Sequence, residues 1–289
     1  MKFWLTVALA LSLFALTGAT PADAQQDPAG ADEPENPFAA FDEIAEDAEL
    51  MPGFFDLYAK EGKLWMAVPG EMLGDGFLFD TRVAQGIGAS GLFGGTTLDF
   101  FELSLMAIER HGERLFMVQR PHRFGADDDP RAQDAVDFTF SSSVVESADI
   151  AAVRPDSALV VDVTDWFVSD LSGVSGQAEG AGGGSASFDR GRSFLAGAQS
   201  YPDNTNVQAK LTFRAGEPGG TPSVPDPRYV PVTIHYTLAR LPADPMTPRI
   251  ADDRVGSFNT VHKDFSRTDT TFMRRYVNRW RLEPAEQVG

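Results

Sequence analysis

From Phe54 onwards the chain repeats one pattern: short runs of alternating apolar and polar residues, separated by turn residues. The run FFDLYAKEGKLWMAVP has Glu61-Gly62 at its centre, and DFFELSLMAIERHGERLFMVQRPHRF has His111-Gly112, so each predicts a β-hairpin. VQAKLTFRA and YVPVTIHYTLARLP predict two further paired strands, joined by the turn-forming PGGTPSVPDP. The sequence therefore predicts a mostly β (α+β) fold, with antiparallel sheets, a few short helices and an irregular C-terminal segment.

The two ends of the chain differ from this β-rich part. An apolar run follows Lys2 and precedes Ala22-Asp23-Ala24, which is typical of a signal peptide at residues 1–24. Residues 25–50 hold nine Asp or Glu and no Lys or Arg, and we expect an acidic flexible tail there. Residues 51–240 form the β-rich N-terminal region, and residues 241–289 are a basic connector. Residues 228–283 carry ten Lys or Arg against six Asp or Glu, a balance of +4, although the whole chain has a net charge of −18.

Composition excludes several classes of function. The chain has no cysteine, so disulfide scaffolds and thiolate metal sites are ruled out. The strongly negative net charge argues against nucleic acid as a partner. The apolar run near the N-terminus is too short for a membrane span. We therefore expect a periplasmic or secreted protein with no membrane span.

No catalytic or metal-binding motif can be written from the residues. The four histidines are isolated in sequence, H-E-x-x-H is absent, and no serine lies in G-x-S-x-G. The glycine-rich GIGASGLFGG continues into a strand pattern rather than a helix, so it predicts a flexible loop between strands and not a phosphate-binding loop. We assign no catalytic residue and no metal ligand, and we expect no cofactor in this chain.

The segment PMTPRIADDRVGSFNT, Pro245–Thr260, has neither helical nor strand periodicity. Its prolines predict extended backbone that cannot donate fully to a sheet. Arg249 and Arg254 flank two aspartates at a spacing that permits local ion pairs. The residues alone leave two interpretations open: a structured connector lying on a surface, and a strap that binds a partner.

This segment also carries a resemblance to a known family. P-M-x-P-R-x-A-D-x-R-V-G-x-F at Pro245–Phe258, DFS at Asp264–Ser266 and RRYVNRWRLE at Arg274–Glu283 resemble bacterial exported zinc-dependent metalloproteases. Upstream, GKLWMAVPGEMLGDGFLFDTRVAQGIG, ALVVDVTDWFVSD and SYPDNTNVQAKLTF are similar in style to that family's N-terminal region. The resemblance extends from Phe54 to Glu283.

In the family resembled, this region precedes a metzincin-like catalytic domain with an extended H-E-x-x-H motif. The resemblance implies that this chain is the non-catalytic N-terminal region, truncated before that domain, and inactive alone as a peptidase. Zinc is then expected only for the full-length family protein. The partner is expected to be the missing catalytic domain or a peptide substrate, contacted by Arg249, Asp252, Arg254 and Gly256.

A second hypothesis comes from a different class of function. The chain is then a stand-alone periplasmic β-rich binding module for a peptide or glycan, with exposed aromatic residues as the binding platform. Trp65 and Trp166 are the aromatic residues considered for that platform, although each is also typical of a core position.

Overall fold

The computed structural model describes residues 39–89, 91–98, 104–126, 129–176, 185–216, 223–266 and 273–282. All of them lie in one compact unit, Pro37–Gly289. The α-helices and 3-10 helices are α1 (Ala39–Ala45), α2 (Pro130–Thr139), α3 (Thr164–Phe167) and the 3-10 turns Gly70–Met72 and Arg190–Arg192. No helix in the described part of the chain is long and apolar enough to cross a membrane.

The strands up to residue 162 are β1 (Glu49–Met51), β2 (Asp56–Lys60), β3 (Lys63–Val68), β4 (Gly76–Gln85), β5 (Ser104–His111), β6 (Arg114–Gln119), β7 (Phe124–Gly125), β8 (Ser143–Val153) and β9 (Leu159–Asp162). The later strands are β10 (Ala186–Phe188), β11 (Phe194–Tyr201), β12 (Asn204–Ala215), β13 (Tyr229–Arg240), β14 (Asn259–Asp264) and β15 (Met273–Val277).

The fold is mostly β, as the sequence predicts, with one large antiparallel sheet. Its strands follow the order β1-β2-β3-β9-β8-β6-β5-β4-β13-β12-β10, and β11 also pairs with β12. The predicted hairpins β2–β3 and β5–β6 and the predicted pair β12–β13 are all present. Strands β9 and β10, which precede and follow residues 177–184, belong to the same sheet, so one β-rich region continues on both sides of those residues.

The large sheet curls until its two ends meet, and we call this contact the seam. The Phe54 amide donates to the Tyr201 carbonyl at 2.7 Å, and the Ser200 hydroxyl donates to the Phe55 carbonyl at 2.7 Å. The Phe55 amide donates to Thr205 Oγ1 at 3.1 Å. The sheet is therefore a near-barrel, closed at the seam largely by side-chain hydroxyls rather than by a regular ladder.

The core lies inside this near-barrel, because alternate residues of each strand point inward. On β13 every second residue is buried, from Val230 through Ile234 to Leu238. Trp166 is only 1% exposed and belongs to this core, so it cannot serve as an exposed aromatic platform. Trp65 is half-buried on the outer side, beneath the Lys63 ammonium at 5.6 Å. The loop residue Leu92 is fully buried, so the glycine-rich loop is packed against the core at this point.

Residues 39–51 belong to the folded part of the chain, although the sequence places most of them in the acidic tail. Helix α1 and strand β1 lie there, and Phe41 and Ile44 of α1 pack against a small outer cluster of apolar residues. The Phe41 ring meets the Tyr58 ring edge-on at 5.5 Å. Residues 25–38 of the expected tail, and the expected signal peptide at residues 1–24, lie outside the described residues.

Candidate functional site

A small second sheet joins the C-terminal segment to the main body. β14 pairs antiparallel with β15 and, through Lys263 and Asp264, parallel with β7. The Lys263 amide donates to the Arg123 carbonyl at 2.7 Å, and the Phe265 amide donates to the Gly125 carbonyl at 2.7 Å. Part of the segment predicted to be irregular is thus regular strand, because residues 259–264 find backbone partners far away in sequence.

A buried carboxylate anchors this sheet. Asp264 is fully buried, and it accepts hydrogen bonds from the Ser266 amide at 3.0 Å and from the Ser266 hydroxyl. Arg274 on β15 places its Nη2 at 2.9 Å from the second carboxylate oxygen. The Ser266 hydroxyl, together with the Ser266 amide and Arg274, holds the pKa of Asp264 below its usual value despite burial. Asp264 and Arg274 therefore form a charged pair at neutral pH.

The four residues singled out in the sequence lie in one exposed segment beside β15. The Val277 amide donates to the Arg249 carbonyl and the Ala251 amide donates to the Arg275 carbonyl, both at 2.8 Å. Arg254 and Asp252 form the predicted local ion pair, with Nε 2.9 Å from Oδ1. The Arg254 side chain stays 87% exposed.

These four residues play unequal parts in the segment. Arg249 contributes backbone to the strand pairing, whereas Asp252 and Arg254 largely satisfy each other. This pairing lowers the pKa of Asp252 and raises that of Arg254. A Cβ atom added at Gly256 would meet nothing within 4 Å, so no close approach requires glycine there.

A stronger candidate for an interaction site is formed by apolar side chains that the sequence reasoning did not single out. Eight of the fifteen large apolar side chains exposed in the described residues lie between residues 241 and 282, and we call them the C-terminal surface: Leu241, Ile250, Val255, Phe258, Phe265, Met273, Trp280 and Leu282. Phe258 is 80% exposed and Trp280 is 88% exposed. Exposed apolar groups that meet in space are typical of an interaction site, and Phe258 and Trp280 meet at one groove.

Phe258 and Trp280 border an open groove of about 860 Å³. Its polar lining includes Asn259, Arg275 and Arg279. Arg275 pairs with Asp253 at 2.5 Å, whereas Arg279 donates to the Thr247 carbonyl at 2.7 Å. Aromatic and arginine side chains are the types most enriched at binding hot spots. The motif RRYVNRWRLE could have indicated this site from the sequence, because it places aromatic residues among arginines.

The described residues do not form a zinc site. Among them, no group of three or more His, Cys, Asp or Glu side chains is arranged to hold a metal ion. His262 Nδ1 lies 3.1 Å from the His122 carbonyl, where it helps to join β14 to the main body. His111 ends β5 beside the hairpin turn, as the sequence predicts. We therefore derive no metal-dependent step for this part of the chain.

His235 lies on β13, within the strand predicted from YVPVTIHYTLARLP, and it has a hydrogen-bond partner. Its Nδ1 lies 3.1 Å from Gln208 Nε2 on β12, and Asp80 and Arg82 face it from β4. Burial is the largest cause that lowers the pKa of His235; Arg82 lowers it further, while Asp80 opposes the shift.

We expect the NMR titration midpoint of His235 to lie below its usual value of about 6.5. Because the folded-state pKa is lowered, the stability linked to neutral His235 is present above the unfolded-state pKa. It is lost as pH falls through the lower folded-state pKa. An NMR midpoint at or above about 6.5 would contradict this assignment.

Comparison with known sequences gives one match. The profile of a family described as "Domain of unknown function (DUF5117)" matches residues 103–285, which is more than half of the chain and includes β14, β15 and every residue that lines the groove except Thr97. No curated protein and no solved structure matches the chain.

Proposed function

The chain belongs to the DUF5117 family, a domain of unknown function, and from this starting point we propose that it is the non-catalytic region of an exported zinc-dependent metallopeptidase. In this role it docks on a catalytic domain through the C-terminal surface. The observation that carries the proposal is the concentration of exposed apolar side chains within residues 241–282, beside the arginines of β15 and its continuation.

Three features support docking at this surface. The exposed Phe258 and Trp280 border a groove with free volume for a partner's side chains. The buried Asp264–Arg274 pair joins β14 to β15, and β14 pairs with β7 from the main body, so the surface is presented on a fixed support. The sequence motifs that resemble the exported metalloproteases, Pro245–Phe258 and Arg274–Glu283, coincide with the segments that build the surface.

Arg249, Asp252, Arg254 and Gly256 have a secondary role in this proposal. Arg254 and Asp252 are exposed but already paired, so a partner gains little net energy from either charge. Desolvated aromatic side chains contribute more to binding than paired rim charges. We therefore place the centre of the docking site at Phe258 and Trp280, with the Asp252–Arg254 pair at its rim.

The test is binding to a separately produced catalytic domain that carries H-E-x-x-H and comes from a protein with the same N-terminal family domain. We expect isothermal titration calorimetry to show binding by the wild-type chain. The double variant Phe258→Ser, Trp280→Ser should bind at least about 30-fold more weakly, because each hot-spot aromatic residue contributes about 1–2 kcal/mol.

Phe138→Ser is the matched control, since Phe138 is 94% exposed but lies on α2, outside the C-terminal surface. It should bind like the wild type. Equal binding by the double variant, or no binding by the wild type, would contradict the docking role. Peptidase activity of the purified chain alone that a chelator abolishes would contradict the non-catalytic role.

A further inference from the structure

The outer face of the near-barrel carries a small cavity of about 210 Å³, apart from the C-terminal surface. Strands β11, β12 and β13 supply its walls: Gly197, Ala198, Gln199, Asn206, Gln208 and His235. None of these side chains carries a formal charge at neutral pH, since burial lowers the pKa of His235. The cavity is thus a neutral, polar depression in a chain of net charge −18.

A β-bulge creates the depression. The register between β11 and β12 shifts between Leu195 and Gly197, and Gly197 then lies opposite Gln208. Gly197 has no side chain, so a gap opens between the longer neighbouring side chains, whereas the Ala198 side chain packs against the core. A Cβ atom added at Gly197 would meet nothing within 4 Å. Bulges of this kind often occur beside binding sites.

The polar groups around the cavity are held in place by hydrogen bonds to one another. Gln208 Nε2 lies 3.1 Å from His235 Nδ1, so in the neutral imidazole Nδ1 accepts and Nε2 carries the proton. The Thr237 hydroxyl donates to Asn206 Oδ1 at 2.9 Å. The Tyr201 hydroxyl donates to Gln199 Oε1 at 2.8 Å. The four polar side chains of the wall are therefore oriented before any ligand binds.

These bonds leave hydrogen-bonding capacity on both sides of the cavity. An amide has two N–H donors and an acceptor oxygen, so Gln199 keeps its donors and Gln208 keeps its carbonyl oxygen. His235 keeps its Nε2–H donor. Tyr201, 47% exposed and bonded to Gln199, adds an aromatic face at the end of β11. Interspersed neutral donors and acceptors beside an aromatic ring suit a ligand with several hydroxyl groups.

We infer that this cavity binds one ring of an uncharged glycan, with Gln199, Gln208 and His235 contacting the sugar hydroxyls. The volume is below that of ordinary drug-sized sites, which start at about 300 Å³, so it suits a single sugar ring. A charged ligand would find no ionic partner in the cavity wall. Sugar binding here does not depend on docking through the C-terminal surface.

The test is an NMR titration of the ¹⁵N-labelled chain with three neutral trisaccharides: N,N′,N″-triacetylchitotriose, cellotriose and maltotriose. We expect at least one of them to shift the side-chain amide signals of Gln199 and Gln208, with a dissociation constant of about 1 mM, as few groups make contact. Pentaalanine is the probe for a peptide ligand and should leave these signals unchanged.

Gly197→Leu should abolish the shifts, because the new side chain fills the cavity while the other five wall residues are unchanged. Ala196→Leu is the matched control, since it adds the same side chain one residue earlier, outside the cavity wall, and it should keep binding. The inference is overturned if no trisaccharide shifts the signals, if pentaalanine shifts them equally, or if Gly197→Leu still binds. The Phe258→Ser, Trp280→Ser variant should bind the sugar normally, which separates this site from the docking surface.

Discussion

Replacing Arg274 by glutamine is expected to destabilise the small C-terminal sheet by about 3 kcal/mol, since it leaves the fully buried Asp264 carboxylate without its cationic partner. Breaking a buried pair typically costs about 3–5 kcal/mol. The lower end applies because the Arg274 side chain is 28% exposed and Ser266 still donates two hydrogen bonds to the carboxylate. Hydrogen exchange of the Lys263 amide, which bonds to the Arg123 carbonyl, should accelerate accordingly.

The next residue provides the control. Arg275 pairs with Asp253, but these side chains are 45% and 79% exposed, so Arg275→Gln should change stability by no more than about 0.5 kcal/mol. Equal exchange rates in the two variants would contradict the anchoring role of Arg274.

Low pH should destabilise the small C-terminal sheet, as the Arg274→Gln substitution does. Because the pKa of Asp264 is lowered, its contribution is present above the unfolded value of about 3.9 and is lost as pH falls through the folded value.

The second large effect is expected at the seam, where Gly53→Ala should destabilise the whole near-barrel by about 2–3 kcal/mol. A Cβ atom at Gly53 would lie 2.2 Å from Ser200 Oγ, 2.5 Å from the Tyr201 amide nitrogen and 2.7 Å from the Ser200 carbonyl carbon. Two of these atoms are backbone and cannot swing away. The strands must separate, which weakens the hydrogen bonds between Ser200, Phe55 and Thr205.

Gly70→Ala is the matched control for this substitution. Gly70 has an ordinary φ, and an added Cβ would meet nothing within 4 Å. Its stability should stay within about 0.5 kcal/mol of the wild type, or rise slightly because the unfolded chain loses freedom. The measurement is urea unfolding of both variants. A Gly53→Ala midpoint equal to that of Gly70→Ala would show that the seam does not hold the near-barrel closed.

Local pattern predicted much of the near-barrel. The Glu61-Gly62 turn could be predicted because a glycine marks a turn between two alternating runs, and the structure shows both residues at positive φ, 53° and 77°, in a two-residue connection. The β12–β13 pair could be predicted because both strands place apolar residues at alternate positions over most of their length. Closure at the seam could not, because it depends on a glycine and two hydroxyl side chains about 150 residues apart, a spacing that no periodicity encodes.

Prediction of the candidate site from sequence is limited in the same way: local features can be predicted, whereas features that depend on distant residues cannot. Arg249, Asp252 and Arg254 stand out in sequence because charge spacing is a local property. Of the local ion pairs that this spacing permits, Asp252–Arg254 forms, whereas Asp253 pairs with Arg275 on β15. The exposure of Phe258 and Trp280 is not a local property. An aromatic residue in sequence predicts burial, and only the arrangement of β14, β15 and residues 249–251 leaves these two side chains in solvent.

The pairing of β14 with β7 has a consequence for the order in which the chain folds. Every strand of the large sheet ends by Arg240, so the near-barrel can form as soon as residues up to 240 are available. The small sheet also needs β14 and β15, which follow residue 240, and it includes long-range contacts such as that between His122 and His262, 140 residues apart. Closing so long a loop is slow while one partner is still unstructured. During synthesis β7 would thus already be fixed when β14 arrives, and the C-terminal surface would be the last part of the described chain to assemble.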